Sequence, residues 1–301
     1  MKAIVLPTYG DADRLELREV ADPKPGPGEV KVKVAAASLN PVDWKLRSGV
    51  LRTMMPLEFP AVLGRDVSGT VVEAGPGVTR FKPGDQVLGF VQRGYAELVT
   101  AAQDAFAPVP EGLDLIQAAA LPLVVLTGAQ LIEEATRPNK GDWVLVTGAA
   151  GGVGRTAVYV AKQAGARVIA GVRGKQRSEA PQLGADQVVA IDDPGEIEKL
   201  PSLDAIADTV DGDTIARLIP KIRHGGAIGS VLGEPPAARG RGLRVKAMVT
   251  HPDAQRLGDL AKAVARGELR IPVERTFPLA RASEAHRLGE RGGAGKILLL
   301  M

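Results

Sequence analysis

Val144-Leu145-Val146-Thr147-Gly148-Ala149-Ala150-Gly151-Gly152-Val153-Gly154 decides the fold, and Arg155 to Gln163 completes its meaning. An apolar run enters a glycine-rich turn, and a helix-forming run leaves it. Strand, tight turn and helix N-terminus in that order present free N–H groups and a positive dipole end to an anion. One glycine makes the turn, one lets a pyrophosphate approach, and one lets the helix pack on the strand. Gly148, Ala150, Gly151, Gly152 and Val153 are therefore candidate contacts to a dinucleotide. A purely structural turn is the plain alternative, but the flanking strand and helix are the context that the motif requires.

Downstream, strand and helix patterns alternate. Strands are expected at Trp143–Thr147, Arg167–Val172, Gln187–Ile191, Leu203–Ala207 and Ala227–Val231, with a possible sixth at Leu243–Val249. Helices are expected at 123–136, Gly152–Ala164, Glu179–Leu183, Asp213–Lys221 and Asp253–Ala265. This alternation predicts an α/β fold with a doubly wound parallel sheet and right-handed crossovers. Upstream the character differs. Val30-Lys31-Val32-Lys33-Val34 alternates with period two, and Gly and Pro recur in Pro23–Gly28, Gly75-Pro76-Gly77 and Lys82-Pro83-Gly84. Short strands with frequent turns predict a β-rich domain. The boundaries read as 1–122 for the β-rich domain, 123–250 for the dinucleotide domain, and 251–301 for a return to the first.

The end of the second strand bears on the cofactor. NAD sites place Asp or Glu about 20 residues beyond the turn, against the ribose 2′-hydroxyl. Here Gly171-Val172-Arg173-Gly174-Lys175-Gln176-Arg177-Ser178 holds no carboxylate before Glu179. Arg173, Lys175 and Arg177 gather where a 2′-phosphate would lie, and guanidinium grips phosphate in bidentate fashion. NADPH is the cofactor this reading favours, with a solvated basic loop as the alternative.

Composition limits the remaining chemistry. With no cysteine and only His224, His251 and His286, at no ligand spacing, neither a thiolate nor a histidine metal site is expected. Formal net charge is +3 and aromatic residues are 3%, so nucleic-acid binding is not indicated. No apolar run reaches the roughly 18 residues of a membrane span. The N-terminal segment shows no signal-peptide pattern, and a cytoplasmic location is the expectation.

Gly64-Arg65-Asp66-Val67-Ser68-Gly69, with Gly75 beyond it, resembles the medium-chain dehydrogenase/reductase superfamily. Its zinc members carry Gly-His-Glu-x-x-Gly there; Arg65 and Asp66 replace the histidine and glutamate. The four-cysteine lobe is also missing, so the chain resembles a zinc-free member. Ser38–Asp43, Ala118–Pro122, Leu126-Thr127-Gly128, Gly141–Leu145, Ala149–Gly154 and Gly295-Lys296-Ile297 are similar to the quinone oxidoreductase (zeta-crystallin-like) group.

The resemblance implies a GroES-like catalytic domain beside a Rossmann domain, with the site in the cleft between them and a homodimer formed through Arg244–Val249, whose alternating cations read equally as guards of an unpaired edge. It implies hydride transfer from NADPH to a small-molecule quinone or α,β-unsaturated carbonyl. Without zinc, no Lewis acid ionises an alcohol; positioning and hydrogen bonds to the acceptor oxygen remain. Asn40 and Thr127 match family positions at the nicotinamide. Asn40 is equally readable as the N-cap of a helix from Pro41 to Arg47, and Thr127 as a buried helix threonine. Lys45 stands where the group often has tyrosine; it is read as a candidate donor to the substrate oxygen or as a surface lysine. Trp44 beside it is pocket lining or core. Asp43 is expected to pair with Arg65. Asp208, Gly229, Ser230 and Val231 end strands on the cofactor side. Two alternatives stand: a non-catalytic NADPH-binding sensor or structural protein, and a free-standing enoyl-thioester reductase.

Overall fold

The structure, a computed structural model, describes residues 1–210, 212–292 and 295–301. The chain divides into two compact units, Met1–Leu123 with Pro252–Met301, and Val124–His251.

The first unit is built on strands. They are β1 (Lys2–Leu6), β2 (Glu16–Glu19), β3 (Glu29–Ser38), β4 (Ala61–Val62), β5 (Asp66–Ala74), β6 (Gln86–Phe90), β7 (Leu98–Ala102) and β8 (Phe106–Pro108). The period-two reading of β3 holds: Val30, Val32 and Val34 are buried, while Lys31 and Lys33 point away from that core. Full burial of such a side chain stabilises by about 1.5–3 kcal/mol. Helix α1 (Pro41–Arg47) follows β3 directly, and the short α2 (Leu115–Ala118) follows β8.

Helix α3 (Pro122–Gln130) carries the chain into the second unit and widens into a π-helical turn at Leu131–Thr136. The expected single helix 123–136 is thus two geometries. Thr136 donates its hydroxyl to the carbonyls of Leu131 and Ile132, and Arg137 ends the turn in the left-handed region. Then come β9 (Trp143–Thr147), α4 (Gly152–Gln163), β10 (Arg167–Val172), β11 (Gln187–Ala190), α5 (Pro194–Glu198), β12 (Leu203–Asp208), α6 (Gly212–Leu218), β13 (Ile222–Ser230) and β14 (Arg244–Ala247). All six strands run parallel in the order β11-β10-β9-β12-β13-β14. Leu145, Ile169, Ile206 and Ile228, one from each of four strands, are fully buried beneath it. The order reverses beside β9, so the glycine turn after β9 lies at the switch point where such sheets bind ligands. Between β10 and β11 the expected α-helix is a run of 3-10 turns, Gly174–Leu183, because Pro181 lies inside it without an N–H to donate.

The return to the first unit supplies α7 (Ala254–Ala265), β15 (Val273–Pro278), α8 (Ala282–Glu290) and β16 (Lys296–Leu300). Asp253 caps α7 by accepting from Arg256 N. Strand β16 joins the large sheet between β15 and β3. No described helix is long and apolar enough to cross a membrane.

Candidate functional site

In the first unit Ser38, Asn40 and Lys296 converge on one buried carboxylate. Asp66, at the start of β5, is fully buried. Its Oδ2 accepts from Ser38 Oγ at 2.7 Å, Asn40 Nδ2 at 2.9 Å and Lys296 Nζ at 3.3 Å. Its Oδ1 accepts from the backbone N–H of Leu123 at 2.7 Å. Lys296 Nζ also donates to Asn40 Oδ1 at 2.7 Å and to Leu39 O at 3.1 Å. Burial holds the Lys296 ammonium below the usual lysine range, and the charge of Asp66 opposes that shift. The Asn40 side-chain amide is held by Asp66 and Lys296, and Asn40 is also the N-cap residue of α1, as one of its two sequence readings has it. In that capping box Asn40 N donates to Asp43 Oδ2 at 2.8 Å.

Asp43 does not pair with Arg65, contrary to the sequence expectation. Its Oδ2 accepts from the Tyr95 hydroxyl at 3.0 Å, and its Oδ1 has no hydrogen-bond partner among the described residues. Tyr95 is fully buried and neutral, so it meets the buried carboxylate without a second charge having to leave water. Burial, aided by the nearby charge of Asp66, raises the Asp43 carboxyl to about 6, while the N–H of Asn40 and the hydroxyl of Tyr95 pull it down. Tyr95 in turn is pushed well above the usual phenol range, first by burial and then by Asp43. Next to this cluster, Arg47 donates toward His286 Nδ1 at 3.3 Å and pairs with Glu290. Lys45 is half-buried, and its ammonium makes no ion pair among the described residues; Trp44, also half-buried, lies against Gly289 of α8.

In the second unit the glycine turn has the geometry expected of a cradle. Gly148 sits at φ 61, the left-handed region. A Cβ on Gly154 would lie 2.2 Å from Gly148 O, so helix α4 needs glycine there to approach the turn. Gly151 differs: it is extended, at φ −78 and ψ 166, and a Cβ would meet nothing nearer than Gly148 O at 3.4 Å. Nothing among the described residues demands glycine at 151; an outside group that must come close to the backbone would. The first intrahelical bond runs from Arg155 N to Gly151 O at 2.8 Å. The N–H groups of Gly152 and Val153 precede it and have no partner within the helix. These residues fit a dinucleotide pyrophosphate.

Beyond β10, Arg173, Lys175 and Arg177 are all exposed. Arg177 pairs with Glu196 at 2.5 Å. Arg173 and Lys175 make no ion pair among the described residues. At the carboxyl ends of β9, β12 and β13, Asp208 is fully buried and acts as a strand clasp. It accepts from Thr147 Oγ1 at 2.9 Å, Ser230 Oγ at 3.1 Å and Val210 N at 3.3 Å. Its carboxylate is engaged within the protein by these donors. Val231 N donates to Asp208 O at 3.2 Å. Gly229 lacks a side chain because Ala135 and Leu131 of the π-helical turn approach it: a Cβ would lie 2.7 Å from Ala135 Cβ. Thr127 is buried, its hydroxyl 2.7 Å from that of Thr250.

Among the described residues no three of His, Cys, Asp and Glu gather as a metal set. The charges of Lys296 and Arg65 are coupled to the carboxylates of Asp43 and Asp66. Sequence reasoning missed Lys296, Tyr95 and Arg155 as partners in this chemistry. Only the Gly295-Lys296-Ile297 motif gave a signal, and it named no partner.

Two family models match the chain: the alcohol dehydrogenase GroES-like domain over residues 26–111, and the zinc-binding dehydrogenase over residues 183–299. The chain is 32% identical to the chloroplast envelope quinone oxidoreductase homolog of Arabidopsis thaliana, over 99% of its own length and 98% of that protein's. It is similar to the solved quinone oxidoreductase of Coxiella burnetii, at 31% identity and a TM-score of 0.89, covering 100% of this chain and 99% of that one. A solved NAD-dependent alcohol dehydrogenase has the same 31% identity and TM-score of 0.89, with 100% of both chains covered. The zinc in the name of the second family model has no matching donor set among the described residues.

Proposed function

Because the chain belongs to the quinone oxidoreductase group of the medium-chain dehydrogenase/reductase superfamily, we propose that it is a metal-free, NADPH-dependent reductase of quinones or α,β-unsaturated carbonyls. The observation that carries this reading is the make-up of the Asp66 cluster. Its cationic partner is the Lys296 ammonium, tethered at Asp66, Asn40 and Leu39, where an alcohol dehydrogenase needs donors for a Lewis-acidic metal. An electron-poor acceptor needs no such ionisation; it needs positioning and a hydrogen-bond donor for its oxygen.

The bound nicotinamide would supply the hydride. The protein's share is to hold and orient. Gly148, Ala150, Gly151, Gly152 and Val153 would take the pyrophosphate, and Arg173 and Lys175 the 2′-phosphate. Thr127, Gly229, Ser230 and Val231 would set the nicotinamide end. Asn40 and Lys45 of the first unit would address the acceptor, Lys45 by donating to its oxygen. A homodimer through the edge strand β14 belongs to the same reading; a monomeric mass at micromolar concentration counts against it.

The test is loss of NADPH absorbance with 9,10-phenanthrenequinone and with an alkenal, in the presence of a chelator. Turnover with either supports the reading. Alcohol-dependent reduction of NADP that requires zinc overturns it. One observation favours a second reading, a non-catalytic NADPH-binding protein: both polar atoms of the Asn40 side chain are already engaged. Tight NADPH binding without turnover on any acceptor would select that reading.

A further inference from the structure

Arg155 is a guanidinium in an expensive place. It is 6% exposed, on the second turn of the phosphate helix α4. A cation near a helix N-terminus opposes the dipole, and a buried charge is costly unless well paired. Its partners define what it does. Nε donates to the carbonyl of Ala150, inside the glycine turn, at 2.8 Å. Nη2 donates to Glu179 Oε2 at 2.7 Å. Glu179 belongs to the Gly174–Leu183 run, the segment that presents Arg173 and Lys175. Two further polar ties of that run reach the β11 side: Gly174 N donates to Asp192 at 2.9 Å, and Arg177 pairs with Glu196, which also accepts from Ala190 N at 2.9 Å. The tie from Glu179 to Arg155 reaches instead to the turn itself.

We propose that Arg155, through Ala150 and Glu179, fixes the spacing between the phosphate turn and the Arg173–Lys175 cations, and so is a positioning residue for cofactor discrimination. The inference rests on the NADPH reading above. A dinucleotide with a 2′-phosphate is gripped at both places at once, so it gains from a preset distance between them. One with a 2′-hydroxyl makes no use of the cations and is indifferent to that distance.

The experiment is calorimetric titration of NADPH and NADH into wild type, Arg155→Ala and Glu179→Gln, with thermal unfolding to establish that each variant is folded. In wild type NADPH binds more tightly than NADH. Both variants are expected to raise the NADPH Kd about tenfold and the NADH Kd less than about threefold. Glu179→Gln is the decisive variant, because it also survives as a test if the alanine variant does not fold. Removing a carboxylate beside a phosphate site should tighten NADPH binding if charge alone matters; a positioning role predicts weaker binding. A Glu179→Gln protein that binds NADPH as well as or better than wild type, or that loses both cofactors equally, overturns the inference while leaving the NADPH reading intact. Wild type that binds NADH at least as tightly as NADPH removes the NADPH reading, and the inference with it.

Discussion

Lys296 holds Asn40 by its side-chain oxygen, at 2.7 Å, and this fixes which way the amide points. An ammonium only donates and a carboxylate only accepts. The Asn40 oxygen must therefore face Lys296, and its nitrogen must face Asp66. Lys296→Met would leave the buried Asp66 carboxylate without its cation, and breaking a buried pair from one side costs about 3–5 kcal/mol. Asp66→Asn should cost a similar amount. The double variant should cost clearly less than the sum, with coupling above about 1 kcal/mol. Urea unfolding of the four proteins measures this. Additive losses would show that the two residues do not share one network.

The buried titrating groups tilt stability with pH in opposite directions. Asp43 is raised to about 6 from 3.8, so the folded protein binds its proton more tightly than the unfolded chain does. Its contribution is full below pH ~4 and is lost as pH rises toward 6, a term of roughly 3 kcal/mol. Asp43→Asn cannot titrate. Its stability relative to wild type should therefore climb between pH 4 and 6.5. A difference that stays flat would place the Asp43 carboxyl at its ordinary pKa.

His286 behaves inversely. Burial first, and then the Arg47 cation, lower it to about 3 from 6.5. The folded protein keeps the ring neutral, so its contribution is present above pH 6.5 and is lost as pH falls toward 3. His286→Gln retains an acceptor for Arg47 and cannot charge. It should gain on wild type in acid, where Asp43→Asn gains at neutral pH. Parallel pH profiles for the two variants would contradict the assignment.

The parallel sheet was legible because its signals are local: a glycine turn, a period of two, and apolar runs of strand length. The same holds for Pro41–Arg47, whose start at Asn40-Pro41 is written in two residues. The Asp66 cluster was not legible, because its members lie 26 and 230 positions apart and only the fold brings them together. Matching charges in the sequence led to Asp43 with Arg65, whereas the neutral Tyr95 is the partner that burial favours. The Arg155–Glu179 tie was hidden for a related reason. The sequence marks Glu179 as the first carboxylate after a basic stretch and the start of a short expected helix, and Arg155 as part of another helix, with nothing to join the two.

Asp208 separates a structural from a cofactor role at the strand ends. Its carboxylate binds Thr147, Ser230 and Val210 and is fully buried. Asp208→Ala strands Thr147 Oγ1, Ser230 Oγ and Val210 N among others, at about 1–3 kcal/mol for each donor left unsatisfied. Asp208→Asn keeps an acceptor for Thr147 and should be milder. Both should lower the unfolding midpoint before they change the NADPH Kd measured well below that temperature. A folded, equally stable Asp208→Ala with weak cofactor binding would instead show direct contact.

Gly151 and Gly154 make the sharpest contrast, because they stand three residues apart in one motif and are glycine for different reasons. Alanine at 154 drives its Cβ to 2.2 Å from Gly148 O, a backbone atom that cannot step aside. Gly154→Ala should therefore force α4 off the turn and destabilise the protein by several kcal/mol, or prevent folding, with or without cofactor. Alanine at 151 finds extended backbone and no atom nearer than 3.4 Å. Gly151→Ala should fold with an unfolding midpoint within about 2 °C of wild type, since an unstrained surface change is worth no more than about 0.5 kcal/mol. On the proposed function its methyl group would stand where the pyrophosphate approaches, so the Kd for NADPH and for NADH should rise together by tenfold or more. Thermal unfolding with and without cofactor reads both effects in one experiment. If Gly151→Ala is stabilised by NADPH as much as wild type is, the turn is not the phosphate site.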